Sequence, residues 1–329
     1  MPGISPQIEA VQSQRPDVDN QGDWQVIGWR EQLRTMSCPL WKRALYAATR
    51  TGLDTLARRR LSSAALERLR PDWVSFGRGF PLEYRIRWGL SGLDVRRSVL
   101  LIQGVGTGWE LPLYAALRPA RMIATDMCSF DTWPEIAAHC RRRFDVAVDF
   151  YQAPLEDHGF LATGSVDACL SNAVFEHCRD LAAVLRESHR VLRRGGRVCA
   201  GFGPLWYGAS GDHFCTRGGL EHAYAHIELD AAAYRAFYEA ERRPYEDFQS
   251  GGRYVELDLF SKLSSDEYLA LFADTGFERT GLVVYLQALA FQFQREFPEH
   301  WTRLVQQMRG RADEDELRLA GLLVRLNAV

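Results

Sequence analysis

Two histidines stand beside carboxylates where the chain leaves an apolar run: Glu176 and His177 follow VDACLSN, and Asp212 and His213 follow RVCAGFG. An imidazole titrates near neutrality, so either could take a proton from a reacting hydroxyl or amine. Glu176 and His177 also have a plainer use, as braces of a pocket wall. His222 and His226 are spaced to share a helix face, but a metal there would need a third ligand that is not identifiable, so packing or surface roles are expected and no metal is predicted. The remaining chemically suggestive stretch is LIQGVGTGWE at 101–110, in which Gly104, Gly106 and Gly108 bare the backbone just after an apolar run. Asp126 ends the next apolar run, twenty-two positions after Gly104, where an acid can accept hydrogen bonds from two ribose hydroxyls.

The elements that must position these residues alternate in type. RSVLLIQ, RMIATD, VAVDFYQ, VDACLSN and RVCAGFG read as five strands, separated by helical patterns in WELPLYAAL, WPEIAAHCRRRF and RDLAAVLRESHRVLRRGG. The last helix carries Leu181, Leu185, Ser188, Val191 and Leu192 on one side, and Gly195 and Gly196 are expected to stop it. SSDEYLALFADTGFERTGLVVY predicts a helix and a sixth strand, EFPEHWTRLVQQM a helix, and LRLAGLLVRLN a seventh strand. This alternation predicts an α/β fold, a doubly wound parallel sheet. Ahead of it, Leu53, Ala57, Leu61, Ala65 and Leu69 recur every four positions and predict a helical stripe.

The glycine spacing bears on which nucleotide-like ligand is held. A dinucleotide turn of the form GxGxxG would need glycine where Trp109 stands; here the third glycine is Gly108, giving GxGxG, and an adenosyl ligand without a diphosphate suits it. With GVGTG at 104–108, Asp126, VDACLSNAVFEH at 166–177 and HRVLRRGGRV at 189–198 in order, the chain resembles a class I S-adenosylmethionine-dependent methyltransferase of the small-molecule type. The resemblance covers about residues 95–205 and implies a Rossmann-like seven-stranded sheet. It implies S-adenosylmethionine as cofactor, S-adenosylhomocysteine as product, and a site made of Gly104, Val105, Gly106 and Gly108 at the methionine part. Asp126 would hold the ribose, Met127 would pack near the adenine with Leu155 and Glu156, and Asn172 and Ala173 would approach the sulfonium.

Two positions depart from the family pattern. Ile102 stands where many relatives carry an acid, so Gln103 is expected to take the polar contact at the methionine end; Pro154 stands where an acid often reaches the adenine amine. Glu110 is read as a first-turn acid favourable to the helix dipole. The resemblance also implies that the loop after the fifth strand faces the acceptor, which makes His213 the preferred base, with His177 and Glu176 as further catalytic candidates.

Composition narrows the rest. The 329 residues carry a formal net charge of -2 and 47% apolar residues, a globular composition with no electrostatic footprint for nucleic acid. Seven scattered cysteines without a CxxC pair read as reduced thiols, and with no secretory or spanning segment the chain is expected to be cytoplasmic. Ten Lys or Arg against four Asp or Glu between Gln21 and Arg70 read as a solvated helix face. The expected organisation is a disordered segment 1–22, a helical N-terminal extension or lid 23–94, the cofactor-binding core 95–203, an aromatic-rich cap insertion 204–263, and the C-terminal part of the sheet 264–329. A small-molecule acceptor is expected, methylated on O, N or C, in natural-product biosynthesis or sugar modification. Methylation of RNA or protein, or a retired cofactor-binding module, are the alternatives, and the oligomeric state is not legible.

Overall fold

A computed structural model describes residues 29–36, 39–76, 81–214, 219–242, 255 and 258–329. The expected disordered segment 1–22 lies outside them, as do Cys38, Cys215, Tyr245 and most of 243–257. Among the described residues one sheet has eight strands: β1 (Trp73–Phe76), β2 (Val99–Gln103), β3 (Arg121–Asp126), β4 (Val148–Gln152), β5 (Val166–Asn172), β6 (Leu192–Phe202), β7 (Phe277–Leu286) and β8 (Leu319–Ala328). Their spatial order is β1-β7-β8-β6-β5-β2-β3-β4. Every neighbouring pair is parallel except those of β8, which runs antiparallel to β6 and β7. The expected doubly wound sheet is present with one strand more than predicted. The addition, WVSF in the N-terminal extension, pairs at the edge with Val283–Leu286; four residues are too short to show an alternation, and tertiary pairing makes them a strand.

Each face of the sheet carries its own core. Leu101, Cys169, Val198 and Val324 pack beneath the helices Leu181–Val191 and Ser265–Asp274, with Ala57, Leu61, Ala65 and Leu69 joining them. Leu100, Ile102, Ala124 and Leu170 pack on the other face against the helices Leu82–Gly89, Leu111–Ala115 and Trp133–Phe144. Side chains of a strand alternate between faces, which is why neighbours in β2 belong to different cores.

Local chemistry explains several helix starts. Asp180 caps Leu181–Val191 by accepting from the Ala183 amide at 2.9 Å, and Ser264 and Glu267 make a reciprocal capping box on Ser265–Asp274. The stripe predicted through 53–69 belongs to two helices, Leu40–Arg58 and Ser63–Leu69, because Ser62 caps the second and breaks the run. Ala57, Leu61, Ala65 and Leu69 are buried, and Leu53 is exposed. The helix before β6 ends at Val191 rather than at the glycines, and β6 starts at Leu192.

Beyond β6, Ala209, Ala223, Tyr224 and Ile227 of the expected cap form a third cluster with Phe293, Trp301 and Leu304 of the helices Ala288–Glu296 and Pro298–Gln307. The Tyr224 hydroxyl donates to the Leu317 carbonyl at 2.7 Å, tying this cluster to the base of β8. Among the described residues no helix is long and apolar enough to cross a membrane.

Candidate active site

The sheet order reverses between β2 and β5, and crevices at such points, beyond the carboxyl ends of parallel strands, are where these sheets hold ligands. Register brings the candidate residues to one level there. Gln103 lies beside Thr125 and Ser171, Asp126 beside Gln152, and Asn172 beside Gly201. The next residues of each strand therefore surround the glycine turn.

That turn is built from backbone. Gly104, Gly106 and Gly108 have φ of +69°, +51° and +80°, in the left-handed region that favours glycine. A side chain at Gly104 would collide with Val174, and one at Gly108 would crowd Ile136 Cδ1 at 3.2 Å. At Gly106 a Cβ would meet nothing within 4 Å, so this glycine alone of the three turns bare backbone toward open space. Val105 is buried in the core, and its amide donates to the Thr125 carbonyl at 3.1 Å. Val105 and Gly108 thus serve the turn's shape, while Gly106 faces open space.

Asp126 braces the same turn. Its Oδ2 accepts from the Gly106 amide at 2.8 Å and its Oδ1 from the Cys128 amide at 3.0 Å. Burial raises its pKa, and the amides of Cys128, Gly106 and Met127 oppose the rise. A carboxylate has about four lone-pair sites, so capacity remains for ribose hydroxyls. The indole of Trp133 donates to the Gly106 carbonyl at 2.7 Å and stacks on Phe150 at 4.8 Å, fixing the turn from the other side. Met127 is exposed at the rim, and the Ala153 amide donates to the Asp126 carbonyl at 2.9 Å, which brings half-buried Leu155 and exposed Glu156 beside it. An open glycine next to a braced acid and an apolar rim fits an adenosyl group.

Gln103 departs from its expected place. It is fully buried on the face of Leu181–Val191, where its amide donates to Ser188 Oγ at 3.1 Å, because strand alternation puts it on the Leu101 side. Glu110 is also more than a dipole acid: it is buried, and its Oε2 accepts from the Asn172 amide at 3.1 Å. Arg85 of the helix Leu82–Gly89 donates to Asn172 Oδ1 at 2.8 Å, so one asparagine joins an acid and a base across the ends of the strands. Burial pushes Glu110 up to about 7, against the pull of Arg85 and Asn172. Next in the chain, Ala173 holds φ of +58° with its amide donating to the Gly201 carbonyl at 2.7 Å. Neither Arg85 nor Glu110 lies in a spacing that announces it; the only sequence signal was an acid immediately after the glycine turn.

The two histidine positions converge. Glu176, His177 and His213 each offer one ligand atom, and these atoms all lie within 4.8 Å of one another. His177 and His213 have ring centroids 4.6 Å apart, and Phe260 lies 5.8 and 5.7 Å from them. His177 Nδ1 is 2.9 Å from the Leu259 carbonyl, which assigns its proton to Nδ1; burial holds the imidazole down at about 4, against that bond. Glu176 is buried, and its Oε1 accepts from the Gly203 amide at 2.9 Å. Asp212 turns away from His213, accepting from the Tyr234 hydroxyl at 2.9 Å and lying 3.7 Å from Arg242. His226 is committed to the Trp206 carbonyl at 2.7 Å and His222 packs on Phe237, which accords with the packing roles expected of them.

Comparison with known proteins gives this geometry its setting. Residues 101–200 match the family model described as a methyltransferase domain. Malonyl-[acyl-carrier protein] O-methyltransferase of Dechloromonas aromatica (strain RCB) is 33% identical over 137 residues, 41% of this chain and 44% of that protein. The enzyme of the same name from Hamiltonella defensa subsp. Acyrthosiphon pisum (strain 5AT) is 29% identical over 105 residues, 32% of this chain and 38% of its own. The chain thus spans less than half the length of these curated relatives. An S-adenosylmethionine dependent methyltransferase from Mesorhizobium loti, solved as a crystal structure, aligns over 74% of this chain and 97% of its own at 16% identity, with a TM-score of 0.45. The methyltransferase-domain match thus falls on the stretch that holds the glycine turn 104–108, Asp126 and Asn172.

Proposed function

We propose that the protein transfers a methyl group from S-adenosylmethionine to a small-molecule acceptor bound between the ends of β5 and β6 and the cap. When bound, the cofactor supplies a methyl carbon activated by its positive sulfur, so the protein's task is to align an acceptor with it. The observation that carries the reading is the meeting of Glu176, His177 and His213 a few residues beyond Asn172 and Ala173, the pair expected to face the sulfonium.

Holding two reactants in near-attack geometry contributes roughly 7 to 11 kcal/mol to such a displacement. Asp126, Gly106 and Met127 would hold the adenosine end, with Leu155 and Glu156 at the base, while Asn172, fixed between Arg85 and Glu110, would set the floor under the methionine end. A hydroxyl or ammonium acceptor must also lose a proton. His177 is neutral at pH 7 and His213 lies against it, so the cluster offers lone pairs where that proton leaves. Trp206 and Phe260, 5.0 Å apart, would wall the acceptor from water. The described residues of the cap and the helices before β1 would act as the lid over this space.

The malonyl-[acyl-carrier protein] O-methyltransferases are named for transfer to an oxygen, and an oxygen acceptor suits a cluster of one carboxylate and two imidazoles. Incubation with methyl-labelled S-adenosylmethionine and a cell extract tests the reading. A labelled small product supports it; label confined to RNA or protein transfers the activity to a macromolecular acceptor. Cofactor binding with no label anywhere identifies a retired module.

A further inference from the structure

We propose that Glu176, His177 and His213 form a binding site for one first-row divalent cation of the zinc, cobalt or nickel class, with its remaining positions open toward the acceptor. The three ligand atoms lie within 4.8 Å of one another and come from two separate segments, the turn Phe175–His177 after β5 and the loop after β6. Two imidazoles and one carboxylate are a donor set suited to these metals. Tetrahedral ligands with bonds of about 2.0 to 2.2 Å lie roughly 3.4 Å apart, so the widest pair must close by at most about 1.5 Å, which side-chain torsions can supply.

The surroundings are arranged as outer partners of a metal site are. Metal-binding histidines usually donate their second ring N–H to a carbonyl or carboxylate, which fixes the ring and leaves the lone pair on the other nitrogen. His177 does this through Nδ1 to the Leu259 carbonyl. Glu176 is oriented by the Gly203 amide on Oε1 and by its own carbonyl, which accepts from the Ser261 amide at 2.9 Å. His213 is held at φ of +68°, a conformation that a non-glycine residue keeps only where its environment dictates it, and its amide donates to the Ser210 carbonyl at 2.8 Å. Phe260 packs beside both rings and limits the water that competes for the metal.

The alternative, two histidines packed with an acid for shape alone, explains the ring contact and the bond to the Leu259 carbonyl but gives no reason for both rings to meet a buried carboxylate at one point. A cation there would take an acceptor's hydroxyl or carboxylate oxygen as its next ligand and lower the pKa of a hydroxyl. That role rests on the methyl-transfer reading; the cation site itself does not.

Cobalt(II) is the direct probe. The full chain, stripped with chelator and titrated with cobalt(II), should take up one equivalent with a visible d–d absorption band, and zinc should displace it. His177→Ala and His213→Ala should each abolish the band, Glu176→Gln should weaken binding at least tenfold, and His139→Ala, remote from the cluster, should leave it unchanged. Circular dichroism and S-adenosylhomocysteine calorimetry on the same samples report folding and the cofactor site separately. Absence of a saturable band in the folded wild-type chain overturns the proposal, as does a band that survives in both histidine variants. Loss of S-adenosylhomocysteine binding with the band intact overturns the methyl-transfer reading and leaves the cation site standing.

Discussion

The two halves of the crevice are built in different ways. On the proposed cofactor side, the Asp126 carboxylate reaches a glycine amide twenty positions away, and the shape of the turn comes from backbone torsions. On the proposed acceptor side, His177 is oriented by a carbonyl eighty-two positions away, and its partners are side chains from separate loops. A site made of main chain close in sequence tolerates little variation and keeps one geometry; a site made of loop side chains can be rebuilt for a new acceptor without disturbing the sheet. The division suits a common cofactor and a particular substrate.

The largest effects should fall on the acceptor side. His213→Ala and His177→Ala are each expected to lower turnover by roughly 10²- to 10⁴-fold while S-adenosylhomocysteine affinity stays within a factor of two or so, as calorimetry beside single-turnover assays would report. A matching loss of cofactor affinity would show that the halves are not separate.

Glu110 tests the boundary between them. Its folded pKa of about 7 lies above the ordinary carboxylate value, so the folded chain binds more protons than the unfolded one between those two points. The associated stability is fully present below about pH 4.5 and is lost as pH rises through about 7, a change of about 3 kcal/mol. Glu110→Gln should flatten this part of the decline, read as urea unfolding free energy at pH 5 and pH 8. Glu316, also raised to about 7 by burial, would maintain a second, independent decline.

On the cofactor side, Asp126→Ala should weaken S-adenosylhomocysteine by about 1.5 to 3 kcal/mol, with part of the loss coming from a looser turn. Gly106→Ala should cost less affinity, about 1 kcal/mol, through its positive φ. The smallest effect belongs to neither half. Ser264→Ala removes the capping box of the helix before β7 and should cost about 1 kcal/mol in thermal or urea unfolding while both affinities hold.

The same contrast explains what could be read from the chain. The glycine turn and Asp126 were legible because their chemistry is carried by local spacing and by strands whose apolar runs are unambiguous. Gln103 was misplaced because one residue of register decides which face a strand residue meets, and its alternation with Leu101 sends it to Ser188. The Arg85, Asn172 and Glu110 chain joins helix, strand and turn, and a contact between distant segments leaves no period to find. His177 and His213 were visible as separate candidates, while their meeting depends on how the loop after β6 folds back. The short strand β1 was hidden for a related reason, its pairing supplied wholly by β7.

That strand has a mechanical consequence. Because β1 is bonded along the sheet edge and the Asp72 side chain accepts from the Leu282 amide at 3.1 Å, the N-terminal region cannot swing away as one piece. Ala57, Leu61, Ala65 and Leu69 are packed in the core as well, so any door must be hinged ahead of Ala57, and trimming the chain past that hinge would unseat the edge of the sheet rather than simply leave the crevice ajar.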